Sequence, residues 1–256
     1  MGHPAVVRGM NVAALAFRFR VAIFLLLYLV GFLPPWGAGF RGGSEGTLWL
    51  AASTLAARSG WIALAAATVT VTLIALACLT TGALLRLWGT AYLGSGVMRG
   101  ALMQGDRLVS AGPYRYLRNP LYLGSWLLAV ATSLLMPPSG AAFFLPAFSL
   151  FALFLISAEE RFLTAQLGDV YQQYCRRVPR LWPRLGSADA ISSANPHWLQ
   201  ALLAETYPVA FTGCFAIFAW RYNARILIQC LLICYGLSLV VRAFAKPATP
   251  PTDAGA

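Results

Sequence analysis

The chain has 256 residues, of which 59% are hydrophobic and only 11% are charged, and its mean hydropathy is +0.68. Because soluble domains carry about a quarter charged residues, this composition excludes a soluble globule and indicates a polytopic helical membrane protein of one domain. The net charge of +11 lies between apolar runs rather than on a soluble element, which disfavours nucleic-acid binding and favours contact with lipid headgroups.

Six apolar segments predict an all-α bundle of about six membrane-spanning helices. They are Val21–Leu33, Trp61–Leu85, Leu121–Met136, Gly140–Ala158, Leu199–Trp220 and Ile226–Val241. Pro137 and Pro138 predict the turn between the third and fourth spans, and Pro146 predicts a kink in the fourth. Arg18 and Arg20 before the first segment resemble a signal peptide, but no good cleavage site follows, so we expect an uncleaved first span.

The distribution of basic residues predicts the orientation of these spans. If the N-terminus lies inside, 15 of the 19 Lys and Arg residues fall on the inner side. The positive-inside rule therefore predicts an integral protein of a bacterial plasma membrane with both termini cytoplasmic. We expect three parts: residues 1–84 with spans one and two, a core over 85–184, and 185–256 with spans five and six and a disordered tail.

Two predicted cytoplasmic segments, Arg86–Pro120 and Glu159–His197, flank the hairpin of spans three and four, so they converge at one membrane face. The second segment carries one apolar helical stripe. Its members are Leu163, Leu167, Val170, Tyr171, Tyr174 and Val178. Gly168 interrupts this helix, and Pro179 and Pro183 end it. The helix lies in the headgroups, covers a site, or does both.

A block of turn, aromatic and basic residues, Gly112-Pro-Tyr-Arg-Tyr-Leu-Arg-Asn-Pro-Leu-Tyr-Leu-Gly124, leads into span three. Tyrosines suit a membrane boundary, but the Gly-Pro and Asn-Pro pairs indicate a fixed turn. Asn119 is predicted to cap the helix, with Pro120 as its first residue. Arg115 and Arg118 serve either the positive-inside bias or a ligand.

Three acids are candidate functional groups. Glu159 and Glu160 are predicted to end span four, at the unfavourable end of the helix dipole. They either pair with arginines or bind a cationic or hydrogen-bonding ligand. Glu205 lies near the start of span five, where an acid is a functional candidate by default, although it is expected near the interface. The isolated histidines and scattered cysteines predict neither a metal site nor a disulfide framework.

The Gly112–Gly124 block, the acidic pair and the stretch from Phe162 to Pro183 together resemble the isoprenylcysteine carboxyl methyltransferase and phospholipid methyltransferase superfamily of integral membrane methyltransferases. The resemblance covers about Leu85–Arg184. It implies S-adenosylmethionine as methyl donor, covered by the amphipathic helix and Arg177-Val178-Pro179. The implied cofactor-binding residues are Gly112, Pro113, Tyr114, Leu117, Asn119, Pro120, Tyr122, Glu159 and Glu160. The implied catalytic residues are Arg115, Arg118 and Glu160.

The acceptor is expected to be a lipidic or prenylated small molecule, methylated on a carboxyl oxygen or an amine nitrogen. A carboxylate would need a cation, for which Arg115, Arg118 and Arg177 are candidates; an amine would need a base, for which Glu159, Glu160 and Glu205 are candidates. Many relatives have His where this chain has Asn119. Prenylcysteine enzymes have basic residues where this chain has Leu155-Ile156-Ser157-Ala158, which disfavours prenylcysteine.

Two other functions remain as alternatives. A membrane reductase of the sterol-reductase type would use NADPH and would need groups for a nucleotide phosphate, but no clear phosphate loop is visible. A non-enzymatic bundle, such as a transport subunit, would favour internal repeats and polar residues deep in several spans, and no repeat is visible.

Overall fold

The computed structural model describes residues 12–33, 46–93, 108–184, 195–221, 229–230, 232–237 and 240. All regular structure in these ranges is helical, which confirms the predicted all-α class for them. The helices are α1 Val12–Arg18, α2 Arg20–Phe32, α3 Leu48–Arg58, α4 Leu64–Leu93, α5 Pro120–Ser133, α6 Pro138–Leu167, α7 Asp169–Arg177, α8 Trp198–Ala204 and α9 Thr206–Arg221, with a 3₁₀ turn at Gly112–Arg115. Much of the sixth predicted span lies outside the described residues.

Helices α4 and α6, of 30 residues each, are long and apolar enough to cross a membrane alone. The pairs α1–α2 and α8–α9 are each bent by 69° at a one-residue break, and each pair reaches that length only when counted as one broken span. Helix α5 has 14 residues, fewer than the roughly 20 that a straight crossing needs. An integral membrane protein with at least two spanning helices follows, and the count of six stays a prediction.

Two helices continue past the ends of the predicted spans, while the ends of the spans themselves stay predictions. Helix α4 continues past Leu85 to Leu93, and α6 continues past Ala158 through both glutamates to Leu167. Arg and Glu are good helix formers, and the charges of Arg86 and Glu160 meet partners inside the protein. A charge therefore did not end either helix.

Helix α3 was not predicted, because its 11 residues are too few for a span. It packs against α4 and the turn between α5 and α6. The backbone N–H groups of Leu48 and Trp49 donate to the carbonyls of Met136 and Leu134, at 2.7 and 2.8 Å. The Trp49 indole donates to the Thr72 hydroxyl at 2.9 Å. These bonds fix α3 at the hairpin's closed end.

Small residues bring the helices of the core close together. A Cβ atom on Gly82 of α4 would lie 2.7 Å from the Gly124 carbonyl of α5, and a Cβ on Gly124 would lie 2.7 Å from the Gly82 carbonyl. On the other side, α2 and α6 share an aromatic cluster that includes Tyr28, Phe144 and Phe148. This packing fixes the positions of α5 and α6 at the open end of their hairpin, where Asn119 contacts Glu160.

The predicted amphipathic helix is divided by Gly168, whose φ of +54° favours glycine. Helix α6 ends there and α7 begins at Asp169. Tyr171, Tyr174 and Val178 are buried and pack with Leu108, Leu163 and Leu167, which confirms most of the predicted stripe. Val170 is 50% exposed, so its place in the stripe was wrong; the break at Gly168 changes the helical phase of the residues that follow.

Candidate functional site

A cavity lies where the end of α4, the 3₁₀ turn, the start of α5, the acidic pair of α6, and α7 meet. Its volume is about 100 Å³, below the roughly 300–1,000 Å³ that is usual for small-molecule pockets. The lining residues are Leu93, Leu108, Val109, Tyr114, Arg118, Asn119, Pro120, Leu121, Tyr122, Glu159, Glu160, Leu163, Tyr171 and Tyr174.

The two adjacent acids have different surroundings. Glu160 is paired with two arginines, since its Oε1 lies 3.1 Å from Arg118 Nη1 and its Oε2 lies 3.0 Å from Arg180 Nε. Glu159 forms no ion pair with the described residues; it is hydrogen-bonded to Tyr122. Ion pairing thus accounts for Glu160, whereas the Glu159 carboxyl lies in the cavity wall with Tyr122 as its hydrogen-bond partner. Both lie two to three turns before the end of α6, so the predicted conflict with the helix dipole does not arise.

Tyr114 is presented by the 3₁₀ turn Gly112–Arg115. Gly112 has a φ of +60°, and a Cβ atom there would lie 2.5 Å from the Tyr92 ring, so only glycine fits this turn. The Tyr114 backbone carbonyl accepts a hydrogen bond of 2.8 Å from the Tyr174 hydroxyl. These contacts fix the turn between α4 and α7.

The Tyr114 hydroxyl is buried and has no hydrogen-bond partner in the described part of the chain. Burial raises the pKa of Tyr114 well above its ordinary value, and the charge of Glu159 raises it further. The phenol therefore stays protonated at neutral pH and can donate a hydrogen bond. Because buried polar groups are nearly always paired, a lone hydroxyl in a cavity wall marks a position for a ligand acceptor.

The chain after α7, residues 178–184, folds back over the start of α5 and is called the covering segment below. The Arg118 N–H donates to the Pro179 carbonyl at 2.9 Å, and the Arg184 N–H donates to the Tyr116 carbonyl at 3.1 Å. Arg180 also donates to Ser157 at 2.7 Å. The sequence analysis uses Arg180 only in the count of basic residues that predicts the orientation of the spans, and so it misses this role. The position of Arg180 directly after Val178-Pro179 was the available signal.

Asn119 occupies the N-cap position of α5, followed by Pro120, as predicted, but its side chain does not cap the helix. Its amide donates instead to the Arg180 carbonyl at 3.1 Å and to Glu160 Oε1 at 3.4 Å. The predicted capping bond is therefore wrong, because the covering segment offers the amide other acceptors.

Seven of the eleven residues named from the sequence line the cavity. They are Tyr114, Arg118, Asn119, Pro120, Tyr122, Glu159 and Glu160. The other four, Gly112, Pro113, Arg115 and Leu117, are not in its wall; Pro113 and Leu117 are buried behind the turn. Within the described ranges, no three His, Cys, Asp or Glu side chains cluster as a metal site would require.

A second polar cluster lies deeper in the bundle. Glu205, at the break between α8 and α9, accepts from Arg86 Nε at 2.7 Å, from Arg86 Nη2 at 3.0 Å and from the Thr90 hydroxyl at 2.8 Å. Arg86 also donates to Ser125 of α5. Glu205 is fully buried inside the protein, and its expected depth near the membrane interface stays a prediction. Arg86, which was counted as a cytoplasmic loop charge, lies on α4.

Comparison with known proteins identifies the segment that forms most of the cavity. Residues 70–170 match the family model described as phospholipid methyltransferase. The predicted resemblance to membrane methyltransferases is confirmed. Methanethiol S-methyltransferase 2 of Bradyrhizobium diazoefficiens is 38% identical over 87 residues, which are 34% of this chain and 33% of that protein. The match spans about a third of that relative's length, and no solved structure matches the chain.

Both acids, the 3₁₀ turn and the start of α5 fall inside the matched segment. Helices α1, α2, α3, α8 and α9 lie outside it, as do Arg180 and Glu205. The matched part therefore contributes the cavity, and the unmatched parts surround and brace it.

Proposed function

We propose that the protein is an integral membrane methyltransferase that uses S-adenosylmethionine and binds it in the cavity beside Glu159. The observation that carries this proposal is that two groups occur together in the cavity wall: the Glu159 carboxyl, which forms no ion pair with the described residues, and the buried Tyr114 hydroxyl, which has no hydrogen-bond partner among them. Both groups line the same cavity, and both lie inside the segment that matches the phospholipid methyltransferase family.

The chemistry of the walls fits this cofactor. S-adenosylmethionine carries an ammonium group, ribose hydroxyls, an adenine ring and a positively charged sulfur. Glu159 can accept from the ammonium or the ribose, and the Tyr114 phenol can donate to an acceptor atom. Tyr171 and Tyr174 offer flat rings for the adenine. When bound, the cofactor supplies an electrophilic methyl group.

The protein's own residues then orient and shield the reaction. The Arg118 and Arg180 pairs to Glu160 hold α7 and the covering segment against the start of α5. Water is kept from one side of the cavity by Tyr174 and Val178, which are 3% and 2% exposed. Holding two reactants in line can supply about 7–11 kcal/mol of a barrier, so no covalent enzyme nucleophile is needed.

The acceptor that this cavity favours is a protic group, a thiol or an amine. Glu159 lies where it can take the proton that a thiol or amine loses on methylation. The name of the Bradyrhizobium relative, a methanethiol S-methyltransferase, supports the thiol. We expect such an acceptor to reach the cavity from the bilayer on the cytoplasmic side, the side favoured by the positive-inside rule.

Ligand binding tests the proposal directly. Isothermal titration of the purified protein with S-adenosylhomocysteine, and separately with NADPH, separates a methyltransferase from a reductase. We expect binding of the first only. Glu159→Gln should weaken it about tenfold or more, because hydrogen bonds to charged groups contribute about 1.5–3 kcal/mol.

Two neighbouring tyrosines provide a matched control. Tyr114→Phe removes the unpartnered hydroxyl and should weaken S-adenosylhomocysteine binding about fivefold. Tyr116→Phe changes a tyrosine of the same loop that lies outside the cavity wall and should have little effect. Unchanged affinity in both Glu159→Gln and Tyr114→Phe, or binding of NADPH instead, would reject the proposed function. A labelled-methyl assay with thiol, amine and carboxylate acceptors then tests the acceptor class.

A further inference from the structure

The cluster around Glu205 joins the unmatched C-terminal helices to the matched core. Both carboxylate oxygens are occupied, Oε2 by Arg86 and Oε1 by Arg86 and Thr90. Glu205 is fully buried and does not line the cavity. It therefore has no free oxygen for a ligand or a proton, which argues against a direct role in the chemistry.

One partner in this cluster, Thr90, lies in the last turn of α4, which also touches the cavity. Thr90 bonds to Glu205, and the next residue, Ala91, accepts a hydrogen bond of 2.8 Å from the His197 N–H at the start of α8. Tyr92 then packs its ring against Gly112, and Leu93 lines the cavity. Four consecutive residues thus connect α8 to the cavity wall.

We infer that Glu205 is a positioning residue of the ligand cavity, which acts by fixing the last turn of α4 and, through Tyr92, the 3₁₀ turn that presents Tyr114. The inference rests on the proposed function, because its readout is ligand binding in that cavity. Under this inference the break between α8 and α9, which lies outside the matched segment, contributes to ligand binding in the cavity.

Electrostatics supports the same connection. After burial, the groups that raise the pKa of Tyr114 are Glu159, Tyr174 and Glu205, and Arg86 lowers it. The Glu205 and Arg86 charges act in opposite directions on the phenol. Removing one charge of the pair would change the field at the phenol as well as the position of the turn.

A second contact of the same helices serves as the control. The Thr212 hydroxyl of α9 reaches the Leu79 carbonyl of α4 at 3.4 Å, about three turns before Thr90. Thr212 therefore also docks α9 onto α4, but away from the cavity. Thr212→Val should lower the thermal stability slightly and leave ligand affinity within about twofold, as expected for distant sites.

The experiment measures S-adenosylhomocysteine affinity and thermal unfolding of the full chain in detergent micelles. Glu205→Gln should weaken binding at least about fivefold, the loss of one oriented hydrogen bond. If Glu205→Gln does not fold, Thr90→Val, which removes one bond to Glu205 and keeps the charges, should weaken binding more than Thr212→Val does. Combining the binding-competent variant with Tyr114→Phe should give a smaller loss than the sum of the two single losses.

The possible outcomes separate the two proposals. If the wild-type protein binds no S-adenosylhomocysteine, the proposed function fails. If the wild-type protein binds it and the folded Glu205→Gln or Thr90→Val variant binds equally well, or its loss adds fully to that of Tyr114→Phe, only the positioning role of Glu205 is overturned.

Discussion

Two clusters of glutamate and arginine occur in the described part of the chain, and their glutamates differ in burial. In the cluster at the cavity, the side chains of Glu160, Arg118 and Arg180 are 17%, 16% and 37% exposed. In the deep cluster, the side chains of Glu205 and Arg86 are 1% and 18% exposed. Arg118 and Arg86 are thus about equally exposed, but water reaches Glu160 and Arg180 at the edge of the cavity and does not reach Glu205 inside the helix bundle.

The difference shows how burial decides what an ion pair does. At the edge, water screens the charges, so each pair contributes little energy and can rearrange. In the interior, two charges are tolerated only together, and losing one leaves the other without compensation. The edge cluster is therefore suited to hold a cover over a cavity, and the deep cluster is suited to fix helices.

The largest effect should follow from breaking the deep pair. Arg86→Met leaves Glu205 buried without a cation and should cost about 3–5 kcal/mol of stability. Replacing both residues with Met should recover most of this loss, because an apolar pair has no charge to desolvate. Unfolding with sodium dodecyl sulfate in mixed micelles measures both variants. Equal stability of the single and double variants would contradict the assigned role of burial.

A smaller effect should follow from separating α4 and α5, the helices that carry both clusters. Gly124→Ala adds a Cβ atom that would lie 2.7 Å from the Gly82 carbonyl and 2.7 Å from Arg86 Cγ. Overpacking of this kind costs about 1–3 kcal/mol. Gly213→Ala is the control, since a Cβ atom there meets nothing within 4 Å. A similar loss of stability in both variants would show that helix separation is not the cause.

The smallest effect should follow from breaking the edge cluster. Glu160→Gln removes both ion pairs, and because water reaches Glu160 and Arg180 but not Glu205, each pair should contribute less than the Arg86–Glu205 pair, about 1 kcal/mol. The loss should shrink as ionic strength rises, because salt screens exposed charges, whereas the Arg86→Met loss should be insensitive to salt. Thermal unfolding at low and high ionic strength tests this, and a Glu160→Gln loss that is independent of salt would remove the distinction between the clusters.

The sequence predicted the helical class and the meeting of the Gly112–Gly124 block with the acidic pair. Both predictions rest on local signals: apolar runs, a Pro-Pro turn and a short hairpin, whose open end must bring Asn119 and Glu160 together. Those signals lie within about 50 residues of one another, so no distant contact was needed to read them.

The features that sequence reasoning missed depend on distant partners. The sequence predicts that the second span ends before Arg86, because a lone charge in a membrane is costly. Arg86 is not alone in the structure, since its partner Glu205 lies 119 residues later in the chain. The side chain of Asn119 turns away from its helix because Arg180, 61 residues later, offers a carbonyl. The hydrophobic periodicity of a single helix does not predict contacts between residues so far apart in the chain.

The spacing between Arg86 and Glu205 also bears on how the chain is made. Helix α4 leaves the ribosome long before α8 does, so Arg86 enters the translocon without its counter-ion. Until translation reaches Glu205, the nascent core carries an uncompensated cation, which water or lipid phosphate must solvate. Helices α4 and α5 can pack through Gly82 and Gly124 beforehand, but the Arg86–Glu205 contact forms only after α8 has been made.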